Sequence, residues 1–341
     1  MNEGRLHPAA LLGLLLGAVG LLVLVLLLRP GRSGERLSEA ELASSRACLE
    51  CHPGVAEEWR SSHHAFAFEN PEVRKLSNDF ANEECLACHA PRPVLGFAPG
   101  ERVLARAADR ALGVDCLACH ALPDGSGVAT GNPSPSASAP CRPVHVERMG
   151  QVEHCAACHN QHGTVDQWRT APETFEGRVL RGGNCLHCHM PEVFRSGGRR
   201  GRDHAFRASH DPEALREAVR LEAESAEEAV LLRVVNHGCA HNFPTDERSR
   251  AADVQVRFRS AAGWEPWRQL YRMRDPYRDE VDLTNTQLPS GQTWETRVPW
   301  PEGAREAEAR LLYKTNPFLP DEEAVVVHSA RVPAPGAGGG R

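Results

Sequence analysis

The sequence is poor in lysine, methionine and aromatic residues, and each shortage narrows what the chain can do. Lysine occurs only as Lys75 and Lys314, the formal net charge is −6, and no basic stretch is interleaved with aromatic residues. This balance argues against a nucleic-acid partner. Aromatic residues make up only 6% of the chain. An ordinary apolar core would therefore be thin in the polar first half.

Long apolar stretches are equally scarce, and the main one covers residues 9–28 without a charge. At about 1.5 Å per residue it is long enough to cross the hydrocarbon of a bilayer. The run leads directly into residues 29–32, Arg-Pro-Gly-Arg, without a small-x-small cleavage site. This favours an uncleaved signal anchor in residues 1–30 over a cleaved signal peptide. We therefore expect a single-pass protein of the cytoplasmic membrane, with its bulk on the periplasmic side.

Cysteine, in contrast, is abundant, and ten of the twelve cysteines lie in five copies of Cys-x-x-Cys-His. The cysteines are Cys48, Cys51, Cys85, Cys88, Cys116, Cys119, Cys155, Cys158, Cys185 and Cys188, and the histidines are His52, His89, His120, His159 and His189. Two thiols about one helical turn apart reach the two vinyl groups of a porphyrin, and the adjacent histidine becomes the proximal iron ligand. The sequence thus predicts five covalently bound haem c groups, whose macrocycles replace the missing apolar core.

Two other uses of a Cys-x-x-Cys pair fit less well. A zinc site takes such pairs two at a time, which five motifs cannot supply evenly, and zinc gives no reason for a histidine after every second cysteine. A thioredoxin-like dithiol occurs singly in a strand-helix-strand context, which this part of the sequence does not show.

The second iron ligand of each haem is expected to be histidine, because histidines outside the motifs outnumber the irons and methionine is rare. Met190 follows His189 directly and cannot easily turn to the same iron. The candidates for distal ligands are His64, His241, His204, His210, His154 and His145. A surface or hydrogen-bonding role is the alternative for each of them.

Changes in composition and residue pattern divide the chain into unequal parts. A tether at residues 31–44 precedes a haem domain at residues 45–212, which should be mainly short helices and irregular segments with little strand. Residues 122–140 are a loop rich in Gly, Pro and Ser. Runs with apolar alternation then predict a small all-β, sandwich-like domain at residues 213–332, although its first part, Glu213–Glu228, also suits a helix. The tail, residues 333–341, is expected to be disordered.

Several segments resemble the cytochrome c-554 group of multihaem cytochromes. Cys48–His52 followed by Trp59, Ser62, His64 and Ala65 is similar to that group's opening Cys-x-x-Cys-His and Trp-x-x-Ser-x-His-Ala. The resemblance implies that His64 is a distal ligand. Residues 236–245 resemble the Asn-x-Gly-x-Gly-His-x-Phe-Pro-Thr element that opens a C-terminal β domain in many such proteins, with Ala240 in place of the second glycine.

Two smaller features leave alternatives open. Cys141 and Cys239 lie outside the motifs, and they either form a disulfide or remain two buried thiols. The cluster Arg195, Arg199, Arg200 and Arg202 either meets haem propionates or forms a solvated basic loop.

Electron transfer in a respiratory chain is the function we expect, with redox proteins of the periplasm or membrane as partners. One alternative is a reductase or oxidase that acts on a small nitrogen or sulfur species at a haem with an open iron position, because the resembled group includes a five-coordinate haem. Another is a membrane quinol dehydrogenase. That family has a methionine two residues beyond its first motif, whereas Pro53 and Gly54 follow His52 here.

Overall fold

The computed structural model describes residues 36–98, 101–196, 198–245, 250–277 and 280–336. Its helices are short, and most of them lie in the part that carries the Cys-x-x-Cys-His motifs. In chain order they are α1 (Glu39–Leu42), α2 (Arg46–Cys51), α3 (Pro53–Arg60), α4 (His63–Phe66), α5 (Pro71–Leu76), α6 (Glu83–His89), α7 (Cys116–His120), α8 (Val152–His159), α9 (Thr164–Thr170), α10 (Cys185–His189) and α11 (Pro212–Ala218). Single 3-10 turns occur at Val94–Gly96, Arg110–Leu112, Glu147–Gly150 and Asp321–Glu323.

Polar side chains begin the motif helices α6, α7 and α10. Asn82, Asp115 and Asn184 each accept a hydrogen bond from a backbone N–H in the first turn of the helix that follows. Helices this short are not stable in water through intrinsic propensity alone. Their caps and their packing against neighbouring segments therefore hold them in place.

Three two-stranded ribbons interrupt the helices. Strand β1 (Val128–Thr130) pairs in parallel with β2 (Pro143–His145), β3 (Thr174–Phe175) pairs with β4 (Arg178–Val179), and β5 (Glu192–Arg195) pairs with β6 (Arg199–Arg202). The expectation of little strand in this domain is therefore wrong, and residues 122–140 contain β1. Overall the protein is about 27% helix and 28% strand. Strands this short carry too few residues to show an alternating pattern in the sequence.

A two-layer antiparallel sandwich follows α11. Its strands are β7 (Val219–Ser225), β8 (Ala229–Asn236), β9 (Ala251–Ser260), β10 (Gly263–Trp264), β11 (Arg268–Met273), β12 (Thr293–Pro299), β13 (Glu306–Lys314) and β14 (Val325–Pro333). One sheet has the order β12-β8-β7, and the other has the order β10-β9-β13-β14 with β11 also paired to β9. The ambiguous segment at residues 213–228 thus divides into a helical start, α11, and a first strand, β7.

Alternate residues of the central strands meet between the two sheets. Val234 of β8, Val254 of β9 and Leu311 of β13 are completely buried, and Leu311 lies directly opposite Val254 in the ladder. The other face of β9 carries Asp253, whose carboxylate accepts hydrogen bonds from Arg272 at 2.6 and 2.7 Å and lies 3.3 Å from Lys314 Nζ. Burial of these charges is tolerated because each has an oppositely charged partner.

The expected membrane anchor is not supported. Residues 9–28, on which that expectation depends, lie outside the described residues, and no helix of the described part is long and apolar enough to cross a membrane. The interpretation of the chain as a single-pass membrane protein is therefore not carried further. The expected disordered tail lies partly outside the described residues as well, because β14 continues to Pro333 and the description ends at residue 336.

Candidate functional site

Each Cys-x-x-Cys-His motif lies on a helix or at its end. The motifs are carried by α2, α6, α7, α8 and α10, and the motif histidine is the last residue of each helix except α2, where His52 follows directly as the C-cap. The two cysteines of a motif are therefore one helical turn apart on the same side, as attachment to a single macrocycle requires.

Three motif histidines each face a second histidine across a gap of the same size. The ring centres are 6.1 Å apart for His159 and His64, 6.3 Å for His120 and His204, and 6.3 Å for His189 and His241. An iron bound by two imidazoles places their ring centres roughly 6 Å apart, with about 2 Å for each iron–nitrogen bond and about 1 Å from each nitrogen to its ring centre. The three gaps therefore fit one iron each.

Hydrogen bonds orient two of these pairs. Nδ1 of His120 donates to the carbonyl of Ala129 at 2.9 Å, and Nδ1 of His204 donates to the carbonyl of Arg202 at 2.8 Å. In the other pair, Nδ1 of His189 donates to Arg207 O at 2.9 Å and Nδ1 of His241 donates to Asn242 O at 3.0 Å. A proton on Nδ1 leaves the Nε2 lone pair of each ring available to a metal.

The local sequence around His64 explains its position. Ser62 caps α4 by accepting a hydrogen bond from Ala65 N–H at 3.3 Å, and Trp59 Nε1 donates to Val114 O at 2.8 Å. Gly113 has φ +59°, and a Cβ there would lie 2.4 Å from the carbonyl oxygen of His64. A glycine is therefore required where the segment before the third motif passes α4.

Two residues that the sequence did not single out position His204. Glu58 on α3 accepts a hydrogen bond from the His204 backbone N–H at 3.0 Å. Phe206 presents its ring edge to His64 at 4.2 Å and to His204 at 5.9 Å between ring centres, so it separates two candidate ligands. Burial, followed by repulsion from His120, lowers the pKa of His204 to about 4, which keeps the imidazole neutral.

The β domain supplies His241 through a tight turn after β8. The Asn236 side chain donates to His241 O at 2.9 Å and to Leu288 O at 3.0 Å, which fixes the turn against the segment before β12. A Cβ on Gly238 would lie 2.1 Å from Glu217 O, so this glycine allows the turn to contact α11. Ala240 does not adopt a positive φ, and the turn accommodates it in place of the expected glycine.

The other three candidate ligands lie elsewhere. His210 is stacked on His63 with ring centres 3.3 Å apart, which leaves no space for an iron between them. His145 ends β2 and is exposed. His154 is 9% exposed, precedes Cys155 on α8, and has no hydrogen-bond partner for either ring nitrogen. Burial, followed by repulsion from His120 and Arg148, lowers the pKa of His154 to about 4.

The motif sulfurs show which motifs are neighbours. Cys48 and Cys116 are hydrogen-bonded through their side chains, so the first motif adjoins the third. Cys158 is hydrogen-bonded to Cys88, and Cys155 to Cys185, so the fourth motif adjoins both the second and the fifth. Burial, the charge of Asp115 and the nearby Cys116 raise the pKa of the Cys119 thiol to about 12.

The third and fourth motifs are also close to each other, since the charge of Cys119 acts on the thiols of both Cys155 and Cys158. Among the described residues the fourth motif therefore has three neighbours: the second, third and fifth motifs. Among the described motif sulfurs, those of the first motif interact only with those of the third.

The two remaining cysteines are free thiols near different motifs, not a disulfide. Burial raises the pKa of Cys141, and the nearby Cys51 raises it further. Burial raises the pKa of Cys239 to about 12, with a contribution from Cys188 of the fifth motif.

The arginine cluster is the β5–β6 ribbon. Arg195 binds Glu58, with Nε 3.0 Å from Oε1 and Nη2 2.5 Å from Oε2, while Arg200 and Arg202 both form ion pairs with Glu192. No pattern in the sequence points to the partner Glu58, which is 137 residues from Arg195.

Comparison with known proteins finds a matching family model and a similar fold. The family model described as cytochrome c554 and c-prime matches residues 47–121, which hold the first three motifs and His64. No curated protein matches the chain. A solved structure, the penta-heme cytochrome c552 from Thermochromatium tepidum, is similar over 85% of this chain and 98% of its own, with a TM-score of 0.57 and 18% sequence identity. At that identity the likeness concerns the fold.

Proposed function

Because the chain is a multihaem c-type cytochrome and an electron carrier, as its sequence predicted, we propose that it holds five haem c groups and serves a respiratory chain. The observation that carries the proposal is the set of three histidine pairs with ring centres 6.1 to 6.3 Å apart, each pair containing one motif histidine. When bound, haem c supplies an iron that is reversibly oxidised and reduced by one electron.

The residues of the chain divide into three roles in this proposal. The ten motif cysteines would form the thioether bonds, and the five motif histidines would be proximal ligands. His64, His204 and His241 would be the distal ligands opposite His159, His120 and His189. Two histidines on each iron favour a six-coordinate, low-spin and low-potential centre, which suits electron transfer better than substrate binding.

His154 is the further candidate for an iron ligand near the third motif. A buried imidazole with two unpartnered nitrogens is costly, because each polar atom has lost its water. A metal bond would satisfy one of those nitrogens. The proximity of His154 to His120, which contributes to its lowered pKa, places it beside this part of the array.

The contacts between motifs support transfer over the length of the domain. Neighbouring motifs touch through their sulfur atoms, as Cys48 and Cys116 do, so the cofactors they hold would lie close together. The β domain takes part directly, because His241 on its first turn would complete the fifth site. We propose redox proteins as donor and acceptor, outside the cytoplasm, where c-type haem is attached.

The experiment is an intact-mass measurement of the matured protein combined with electron paramagnetic resonance of its ferric form. We expect a mass equal to the polypeptide plus five haems, and low-spin signals that cyanide does not change at the three paired sites. A matched variant, Cys185→Ala with Cys188→Ala, should lose the mass of one haem. A bare polypeptide mass would refute the proposal. A predominantly high-spin protein whose irons at the His120, His159 and His189 sites bind cyanide would refute the ligand assignment.

A further inference from the structure

The β5–β6 ribbon, here called the arginine hairpin, is fixed beside the first motif. Arg195 reaches Glu58 on α3, the helix that begins directly after His52, and its Nη2 also donates to Arg202 O at 2.7 Å. A Cβ on Gly54 would lie 3.8 Å from Arg195 Cδ, so the hairpin also contacts the start of α3. An isolated two-stranded ribbon is barely stable in water. These contacts hold it at a defined place.

The two faces of the arginine hairpin differ. Side chains alternate across a strand, and in β5 the exposed residues are Glu192 and Phe194 while Val193 and Arg195 are half-buried. Phe194 is 76% exposed and lies directly opposite Arg200 in the ladder. The solvent-facing side therefore presents a phenyl ring beside an arginine.

The charge of the arginine hairpin is opposite to that of the chain. Residues 192–202 contain four arginines and one glutamate, whereas the whole chain has a formal net charge of −6. Arg200 and Arg202 share Glu192, and within the described residues Arg199 has no carboxylate partner. The exposed acids Glu50 and Glu57 lie on the adjoining helices. The same helices carry the exposed arginines Arg46 and Arg60, so the surroundings of the hairpin are mixed in charge while the hairpin itself is positive.

The first motif is the part of the array that this surface adjoins. Cys51 and His52 are exposed, and among the described motif sulfurs the first motif adjoins only the third. It is therefore an accessible end of the array. A single exposed phenylalanine is ordinary on a protein surface. An aromatic residue among arginines at an accessible redox site, however, has the composition of the centre of a protein interface.

We propose that the exposed side chains of the arginine hairpin dock an acidic redox protein at the first motif: Phe194, Arg200 and Arg202 on one face, and Arg199 at the turn end of the other. The inference deepens the proposed function and rests on it. The arginines attract the carboxylates of the partner during approach, and Phe194 packs against an apolar spot between those carboxylates. In each encounter the reduced partner loses one electron and this chain gains one, and no covalent bond changes.

The test uses a reduced plant-type [2Fe–2S] ferredoxin, an acidic one-electron donor, and the fully matured protein. Stopped-flow absorbance gives the second-order reduction rate constant at low and high salt, and titration with oxidised ferredoxin gives the Kd. The test variants are Arg199→Glu with Arg200→Glu, and separately Phe194→Ala. The matched controls are Arg297→Glu, an exposed arginine on β12, and Phe318→Ala, a phenylalanine that is 72% exposed in the β domain.

We expect the charge reversal to lower the rate constant about tenfold at low salt and to remove most of its salt dependence, since charge at an interface rim acts mainly on association. Phe194→Ala should raise the Kd about tenfold and leave the salt slope unchanged, because it removes packing and no charge. Both controls should stay within about twofold of the parent protein.

The docking proposal is overturned if the test variants match their controls, or if a basic cytochrome c binds this face more tightly than ferredoxin does. Reduction by dithionite and intact mass separate this failure from the wider one. If haem content and dithionite reduction are normal but ferredoxin reacts equally well with the test and control variants, only the docking surface is refuted. Absent haem would refute the proposed function itself.

Discussion

Ser45 and Asp115 form a buried hydrogen bond, Oγ to Oδ2 at 2.8 Å, across 70 residues of sequence. Ser45 precedes α2 and Asp115 caps α7, so this bond joins the helices of the first and third motifs. Ser45 Oγ also accepts a hydrogen bond from Leu117 N–H at 3.0 Å, and Arg106 Nη1 lies 2.7 Å from Asp115 Oδ1. The contact between Cys48 and Cys116 follows from this junction.

Replacing Ser45 with alanine should destabilise the protein by about 1–3 kcal/mol, because it leaves a buried carboxylate oxygen and the Leu117 N–H without their partner. Urea unfolding of the matured protein, followed at the Soret band, gives the change. The control is Ser61→Ala, which removes an exposed hydroxyl bonded to Glu58 O. An equal effect of the two substitutions would contradict the role of Ser45 as a junction.

Gly113→Ala should be far more damaging than Gly125→Ala. Both glycines have a positive φ, +59° and +70°, but a Cβ at residue 125 meets nothing within 4 Å whereas one at residue 113 meets His64 O at 2.4 Å. The substitution at Gly125 should cost only about 1 kcal/mol for its backbone conformation. The substitution at Gly113 should also shift the low-spin resonance of the haem bound through His159, because it displaces His64. Unfolding midpoints and paramagnetic resonance spectra measure the two effects.

Removal of His204 should convert one haem from low-spin to high-spin, because its ring lies 6.3 Å from that of His120 and would be the second ligand of that iron. His204→Ala is compared with His145→Ala, which changes an exposed histidine at the end of β2. The high-spin signal near g = ~6 in the ferric protein, integrated per chain, measures the conversion. If His145→Ala produced the signal and His204→Ala did not, the ligand assignment would be wrong.

Acidification should weaken the β domain through Glu308. Burial alone would raise the pKa of this carboxyl, but hydrogen bonds from Arg257 and Arg331 outweigh burial and lower it below its ordinary value of 4.5. A carboxyl whose pKa is lower in the folded state stabilises the fold above pH 4.5, and this stabilisation is lost as the pH falls through the folded pKa.

The Glu308→Gln variant should therefore show a flatter decline of the unfolding midpoint between pH 5 and pH 3 than the parent protein shows, as followed by tryptophan fluorescence over roughly that range. Glu302→Gln, in an exposed turn after β12, serves as the control. A decline as steep in Glu308→Gln as in the control would show that other groups govern acid unfolding.

Alkylation under denaturing conditions without reductant should add two labels to the matured protein, one each at Cys141 and Cys239. In the proposed five-haem protein the ten motif thiols would be consumed by haem, and the remaining two are free and lie near different motifs. Mass spectrometry counts the labels. Cys141→Ser should leave a single label. A matured protein that takes no label until it is reduced would instead contain the disulfide between them.

The sequence could predict the cofactor chemistry but not the order of the array. Covalent attachment requires a fixed local spacing, so Cys-x-x-Cys-His is readable in five places. The partner of each motif histidine is a tertiary property: His64 lies opposite His159, 95 residues away, and His241 lies opposite His189 from another domain. Short motifs identified all three of the histidines that face a motif histidine as candidate ligands, while no pattern indicated which motif histidine each of them would face.

The short strands and the position of Phe206 could not be predicted from the sequence. Strands β1 and β5 have three and four residues, too few for an alternating pattern, and their partners β2 and β6 are equally short. Phe206 carries no motif, and its function follows from a φ of +49° that turns its ring between His64 and His204. The longer strands β8 and β9 alternate clearly, and they lie in the part of the chain for which the sequence predicted strands.

The fourth motif is the junction of the array, since Cys158 is hydrogen-bonded to Cys88 of the second motif, Cys155 to Cys185 of the fifth, and both lie near Cys119 of the third. Deleting an outer site would merely shorten one route, but deleting this one would leave three disconnected groups of centres. In the proposed five-haem protein, electrons moving between any two of the outer sites would pass through the fourth haem, so loss of that haem at Cys155–His159 would interrupt every route between the branches.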